Sequence, residues 1–247
     1  ETRTLEAKLA VWFYDKFVGK RTLNKFDKVI AITKWEIPYL IKLGLSESKI
    51  EYIPNGVREQ FFAHKKSKEI NKIIYTGRIS PIKQIETLIE AVPRIKNDKM
   101  IVEIFGPGEK DYLEKLNKII NDMALEKRVI ITNKTYSIEE QIKKLDQSKI
   151  FVLPSKSEGM PQALIEAMAK NKIVIASDNL ASREIIIDGK NGFLFENGNS
   201  RDLADKINLI IDMDKSKINK IKMNAKRFVE KFSWNKIINK LENAMKK

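Results

Sequence analysis

The chain has 247 residues, no cysteine, one histidine (His64), and 47 Lys+Arg against 33 Asp+Glu, a net charge of +14. The lack of cysteine excludes disulfides, thiolate nucleophiles and cysteine–zinc sites, and a single histidine argues against a multi-histidine metal centre or a Ser-His-Asp relay. No apolar run reaches the length of a membrane span and no signal-peptide pattern opens the chain, so a cytoplasmic chain is expected.

Residues 4–20 place Leu5, Leu9, Trp12, Phe13 and Phe17 near a helical stripe, with Lys8, Lys16 and Lys20 off it. That pattern predicts a helix packed on a neighbouring domain or, alternatively, a basic amphipathic surface against lipid headgroups. A buried strand over 26–33, a helix over 34–43 closed by Gly44, a strand over 49–53 and the turn Pro54-Asn55-Gly56-Val57 follow. Residues 58–71, polar after Phe61 and Phe62, read as linker. A regular alternation begins at residue 72, with strands predicted at 72–77, 100–105, 128–132, 149–153, 172–176 and 193–195. Helices are predicted at 83–96, 109–123, 138–147, 161–170, 182–187 and 201–212. Short β-branched runs alternating with longer helical patterns predict an α/β fold, a Rossmann-like parallel sheet with helices on both faces, plus a partial second domain. Two further helices, 215–230 and 234–246, end the chain, and residues 215–247 carry eleven Lys/Arg against two Glu, either a solvated face or one drawn to anionic lipid.

Chemistry concentrates where strands end. The run Lys149-Ile150-Phe151-Val152-Leu153 feeds Pro154-Ser155-Lys156-Ser157-Glu158-Gly159-Met160, and a helix is expected to start at Pro161, where the missing N–H would be unpaired anyway. A loop at the carboxyl end of a parallel strand is where open α/β sheets bind ligands. The amides of Met160, Gln162 and Ala163, with the positive end of the helix dipole, predict an anion site. Glu158 and Glu166, with seven residues between them, can offer carboxylates to polyol hydroxyls beside that anion. Phosphate and hydroxyls together point to a sugar nucleotide. A second loop follows Gly77, where the backbone can turn without a Cβ, and Arg78 and Lys83 leave it in position to converge on one anion. Phe105-Gly106-Pro107-Gly108 reads as a tight turn after the next strand.

The spacing of Pro154-Ser155, Glu158-Gly159, Pro161 and Glu166-Ala167-Met168-Ala169 resembles the donor-binding signature of retaining glycosyltransferases of the GT-B fold, family 4 type. The resemblance implies that Arg78 and Lys83 hold the donor diphosphate, which gains negative charge as it leaves. It implies that Glu158 contacts the transferred sugar and that Glu166 bonds the ribose hydroxyls. Gly77, Gly106, Gly159, Met160, Pro161 and Gln162 would lie against the donor. Lys134 would belong to the stretch 129–136, where relatives read the nucleobase mainly through main-chain groups. Gln84 replaces the glycine usual after the lysine, which predicts a differently shaped loop, and Asn133-Lys134 replaces a glycine–aromatic pair. The same resemblance implies domain limits: residues 1–53 as the remnant of an N-terminal acceptor domain, 54–71 as interdomain linker, 72–232 as the donor-binding domain and 233–247 as a crossover helix. The chain opens on Glu1 rather than Met, as expected of a trimmed piece, which by itself would hold a donor without transferring it.

The expectation is therefore a metal-independent, retaining glycosyltransferase of glycan biosynthesis that uses no cofactor. Its substrates would be a nucleotide diphosphate sugar, UDP- or GDP-linked ahead of ADP-linked, and a glycan or lipid-linked acceptor hydroxyl. Two alternatives stay open: a nucleotide-sugar-binding subunit without activity of its own, and a GT-B sugar-nucleotide epimerase, for which no acid/base residues stand out. Nucleic acid is not an expected partner, because the basic residues are mostly Lys and are not concentrated with aromatics on one surface. Peripheral contact with an anionic membrane, on its cytoplasmic face, is the alternative use of the positive charge.

Overall fold

A computed structural model of the chain describes residues 4–63 and 70–246; His64 lies outside them. The chain divides into two units, Glu1–Asn55 with Asn235–Lys247 and Gly56–Trp234. It passes between them at 55–56 and at 234–235, against expected limits at 53–54 and 232–233.

In the first unit, α1 (Leu5–Tyr14) starts at Thr4, whose hydroxyl accepts from the Ala7 amide. A π-helical turn over Asp15–Gly19 and α2 (Lys20–Leu23) follow. Two short strands, β1 (Val29–Ala31) and β2 (Ile50–Tyr52), pair in parallel around α3 (Ile37–Lys42). Leu9, Trp12, Phe13 and Tyr14 are exposed on α1.

The second unit carries the predicted sheet. Its strands are β3 (Lys72–Thr76), β4 (Ile101–Phe105), β5 (Val129–Thr132), β6 (Ile150–Leu153), β7 (Ile173–Ser177) and β8 (Phe193–Phe195). They are all parallel, in the order β5-β4-β3-β6-β7-β8. Continuous β-branched runs suit strands covered on both faces. Ile73, Ile74, Phe151, Val152, Val174 and Ile175 are accordingly shut off from solvent. The intervening helices are α4 (Ile85–Ala91), α5 (Lys110–Asp122), α6 (Ile138–Asp146), α7 (Gln162–Ala169), α8 (Leu180–Ile185) and α9 (Ser200–Asp212), followed by α10 (Lys215–Val229). Helix α5 buries Tyr112, Leu116 and Ile120, one face at intervals of four. Helix α7 packs on β6, β7 and α10, and burying each of Leu164, Ile165 and Met168 stabilises it by about 1.5–3 kcal/mol. The last helix, α11, runs over Trp234–Met245. Among the described residues, no helix is long and apolar enough to cross a membrane.

Three local departures from the expected pattern have physical causes. The helix predicted over 83–96 is broken: a 3-10 turn over Pro81–Lys83, then α4, then a second 3-10 turn over Val92–Arg94, where Pro93 cannot donate to a continuing ladder. Between the first two pieces Gln84 adopts φ 46°, ψ 46°, the left-handed conformation that glycine favours. The loop thus has a glycine-type backbone turn at the position where Gln84 stands, held at some strain. Finally, α7 begins at Gln162 and Pro161 is its cap, not its first residue. The Gln162 amide is already given to the Met160 carbonyl, so it is not one of the anion-facing donors expected there.

Candidate functional site

The strand order places a switch point between β3 and β6, from which the chain winds outward in both directions. Open α/β sheets bind ligands at the carboxyl ends of the strands beside such a point. Here a cleft of about 470 Å³ opens, floored by Thr76, Gly77 and Leu153 and walled by Arg78, Lys83, Tyr136, Gln141, Glu158, Met160, Pro161, Gln162 and Glu166. A second cavity of about 470 Å³ lies at the opposite edge, among the starts of β6 and β7 and helices α9 and α10. Its described lining holds lysines but no carboxylate, so it lacks the mixed charge of the first.

Two loops carry the charged groups of the cleft, and the backbone joins them. The Lys156 amide donates to the Ile82 carbonyl at 2.9 Å. The Tyr75 hydroxyl donates to the Arg78 carbonyl at 2.6 Å, which pins the loop that bears the guanidinium. Burial raises the Tyr75 hydroxyl pKa well above its ordinary value, and the Glu158 charge adds to that; it stays a proton donor. Lys83 Nζ contacts both Glu158 oxygens, at 2.7 and 2.9 Å, and Ser155 Oγ donates to Glu158 Oε1 at 2.6 Å. This pair is 18% and 11% exposed. Among the described residues Arg78 has no ion-pair partner, and it is exposed at the rim.

Glu166 sits deeper. Gln141 Nε2 donates to its Oε2 at 2.7 Å and Gln162 Nε2 to its Oε1 at 3.3 Å. Burial pushes its carboxyl pKa up; the two amide bonds and the Arg58 charge oppose the shift without cancelling it. The Tyr136 ring stacks on Phe105, with centroids 4.6 Å apart and planes inclined by 22°. Burial, with the Glu166 charge, pushes the Tyr136 hydroxyl up to about 12.

The cleft thus brings together Gly77, Arg78, Lys83, Glu158, Met160, Pro161, Gln162 and Glu166. Gly106 and Lys134 are not among its lining residues. A Cβ on Gly106 would lie 1.9 Å from the Gly77 carbonyl oxygen, so the missing side chain lets the ends of β3 and β4 approach each other. Lys134 turns to Glu140 Oε1 at 2.5 Å and lies 5.9 Å from the Phe105 ring centroid. Gly159 lies in the loop between Glu158 and Met160, with open space where a Cβ would be. Leu153 and Ala163, with Tyr75, Thr76, Tyr136 and Gln141, complete the lining; the last four are not among the site residues expected from the sequence. For Gln141 a signal existed: with Leu145 it forms the buried face of α6, a polar residue on an apolar stripe.

A parallel sheet with a cleft of mixed charge at its switch point defines an α/β domain of the doubly wound type, which binds ligands at that edge. The model of the family of glycosyl transferases, group 1, matches residues 56–228. The chain belongs to that family, of the GT-B type. It is 31% identical over 241 residues to an uncharacterized glycosyltransferase of Methanocaldococcus jannaschii, covering 92% of this chain and 60% of the relative. It is 29% identical over 259 residues to the UDP-Gal:alpha-D-GlcNAc-diphosphoundecaprenol alpha-1,3-galactosyltransferase of Escherichia coli, covering 96% of this chain and 61% of that one. Among solved structures it resembles Staphylococcus aureus TarM in complex with fondaparinux, alpha-GlcNAc-glycerol and UDP, with a TM-score of 0.81 and 27% identity over 100% of this chain and 49% of TarM. The chain spans about 60% of the length of the two curated relatives.

Proposed function

We propose that this chain is the donor-binding part of a family 4-type, retaining, metal-independent glycosyltransferase. The observation that carries the reading is the convergence of Arg78, Lys83, Glu158 and Glu166 in one cleft at the β3/β6 switch point. A nucleotide diphosphate places its ribose hydroxyls at Glu166 and its phosphates between Arg78 and Lys83. Lys83 then exchanges the Glu158 carboxylate for phosphate oxygens, and Glu158, still held by Ser155, is released to the hydroxyls of the sugar. The acceptor oxygen bonds to the anomeric carbon on the face from which the diphosphate leaves, and its proton passes to a leaving phosphate oxygen. Arg78 and Lys83 neutralise the charge that builds up on the diphosphate, the role a divalent metal would otherwise fill.

UDP is the favoured nucleotide, because it is the one bound in the TarM complex and named for the Escherichia coli relative. A lipid-linked acceptor is favoured for the same reason, since that relative is named for a diphosphoundecaprenol substrate. Such an acceptor would place the enzyme at the cytoplasmic face of a membrane. In an active enzyme carrying this domain, Arg78→Ala and Lys83→Ala are each expected to lower turnover by roughly 10²–10³, about 3 kcal/mol of transition-state stabilisation. Turnover unchanged in both variants would remove the proposed site.

A further inference from the structure

The deep carboxylate of the cleft is tied to a distant piece of backbone by one side chain. Gln162 Nε2 donates to Glu166 Oε1 at 3.3 Å and also to the Gly56 carbonyl at 2.9 Å. Both neighbours are acceptors, so the amide has only one workable orientation; a flip would set its oxygen against two others. Its Oε1 is buried without a partner, an arrangement that is unfavourable by itself and that the two N–H bonds must hold in place.

Gly56 in turn belongs to a clasp. A Cβ there would lie 2.3 Å from the Trp234 ring, so the backbone of residue 56 rests directly on the indole. The Val57 amide donates to the Phe232 carbonyl at 2.6 Å and the Trp234 amide to the Val57 carbonyl at 3.0 Å. Segments 56–57 and 232–234 adjoin the two places where the chain passes between its units. Gln162 reaches from this clasp to Glu166.

We infer that Gln162 is a positioning residue that fixes Glu166 for the ribose hydroxyls and ties it to the Gly56–Trp234 clasp, so that occupancy of the cleft is felt at both crossings. The inference rests on the role proposed above for Glu166. Each N–H of the amide serves one acceptor, so the amide cannot follow Glu166 without moving relative to Gly56. Ligand hydroxyls that immobilise Glu166 therefore restrain the Gly56 carbonyl and the clasp hydrogen bonds beside it. Gln141 supports the other oxygen of Glu166 but bonds Thr76, at 3.4 Å, rather than the clasp.

Amide hydrogen exchange at Val57 and Trp234, with calorimetry in the same buffer, tests this. UDP is the probe, with GDP and ADP in turn if it does not bind. Bound nucleotide is expected to slow exchange at both amides by about tenfold, the slowing that reports a local opening made harder. Gln162→Met, brought to equal occupancy by raising the nucleotide concentration, is expected to lose the slowing. Gln141→Met at equal occupancy is expected to keep it, a separation that general loosening of the cleft would not produce. Slowing that persists in Gln162→Met, or exchange in the unaltered chain that does not respond to bound nucleotide, would overturn the inference while leaving the binding site intact. If Gln162→Met fails to fold, the unaltered chain and Gln141→Met still decide it. No binding of any of the three nucleotides would overturn the reading of Glu166, and this inference with it.

Discussion

Two glutamates of the same domain, Glu103 buried and Glu166 half-buried, are answered differently by the protein. Glu103 lies in the middle of β4, where Lys72 Nζ meets its Oε2 at 2.7 Å and Lys144 meets its Oε1. Burial raises its carboxyl pKa, but the bonds from Lys144 and Lys72 outweigh that and the net shift is downward. Glu166 is given two neutral amides instead of two cations, and its net shift is upward. Glu103, met by a lysine at each oxygen and lying outside the cleft lining, serves the fold. One held only by amides is oriented yet still under-compensated, and further donors such as ligand hydroxyls stabilise it. Lys83–Glu158 differs from both: one lysine spans the two carboxylate oxygens at the cleft wall, where, among the described residues, Arg78 has no ion-pair partner.

The largest effect expected from this contrast is on stability. Glu103→Gln leaves Lys72, 6% exposed, without a carboxylate, and should cost about 3–5 kcal/mol in urea unfolding. Glu166→Gln should change stability by no more than about 1 kcal/mol, yet lower nucleotide affinity by about 1.5–3 kcal/mol through the lost charged acceptor. If both variants unfold equally easily, the distinction between the two sites is wrong.

A smaller effect, of opposite sign at the two residues, should appear with pH. The folded pKa of Glu103 lies below its unfolded value, so its contribution is complete above the unfolded value and is lost as pH falls through the folded one. The folded pKa of Glu166 lies above its unfolded value, so its ionisation disfavours the fold increasingly as pH rises between the two. The stability of Glu166→Gln relative to the unaltered chain should therefore improve as pH rises through that window, with Arg58 and Tyr136 as the neighbouring ionisable groups. Nucleotide affinity should fall as pH drops below the raised Glu166 pKa, and Glu166→Gln should flatten that profile. Titrations from below the ordinary glutamate pKa up to neutral pH would show these effects.

The parts of this site that are local in sequence are legible there. A β-branched strand, a Pro/Ser/Gly loop and a helix start lie within a few residues of one another, so 149–169 and 72–83 reveal strand ends with their charged residues. What depends on packing between distant segments is not. Glu103 reads as one polar residue in an apolar strand, and nothing local shows that Lys72 and Lys144 meet it. Gln141 comes to Glu166 only because the sheet order brings α6 to the β3/β6 edge. Nor do the neighbours of Gly106 in sequence show that the Gly77 carbonyl occupies the space of its missing side chain. Gln84 illustrates the reverse: a glycine-favouring conformation can be held by another residue when the surrounding loops determine it.

The most direct test of the central claim is a calorimetric titration of UDP into the chain in EDTA, repeated with Arg78→Ala. The account predicts saturable binding at one site without divalent metal, weakened in Arg78→Ala because the diphosphate loses its bidentate partner. Binding that requires Mg²⁺ or Mn²⁺, or that is identical in the variant, would contradict it.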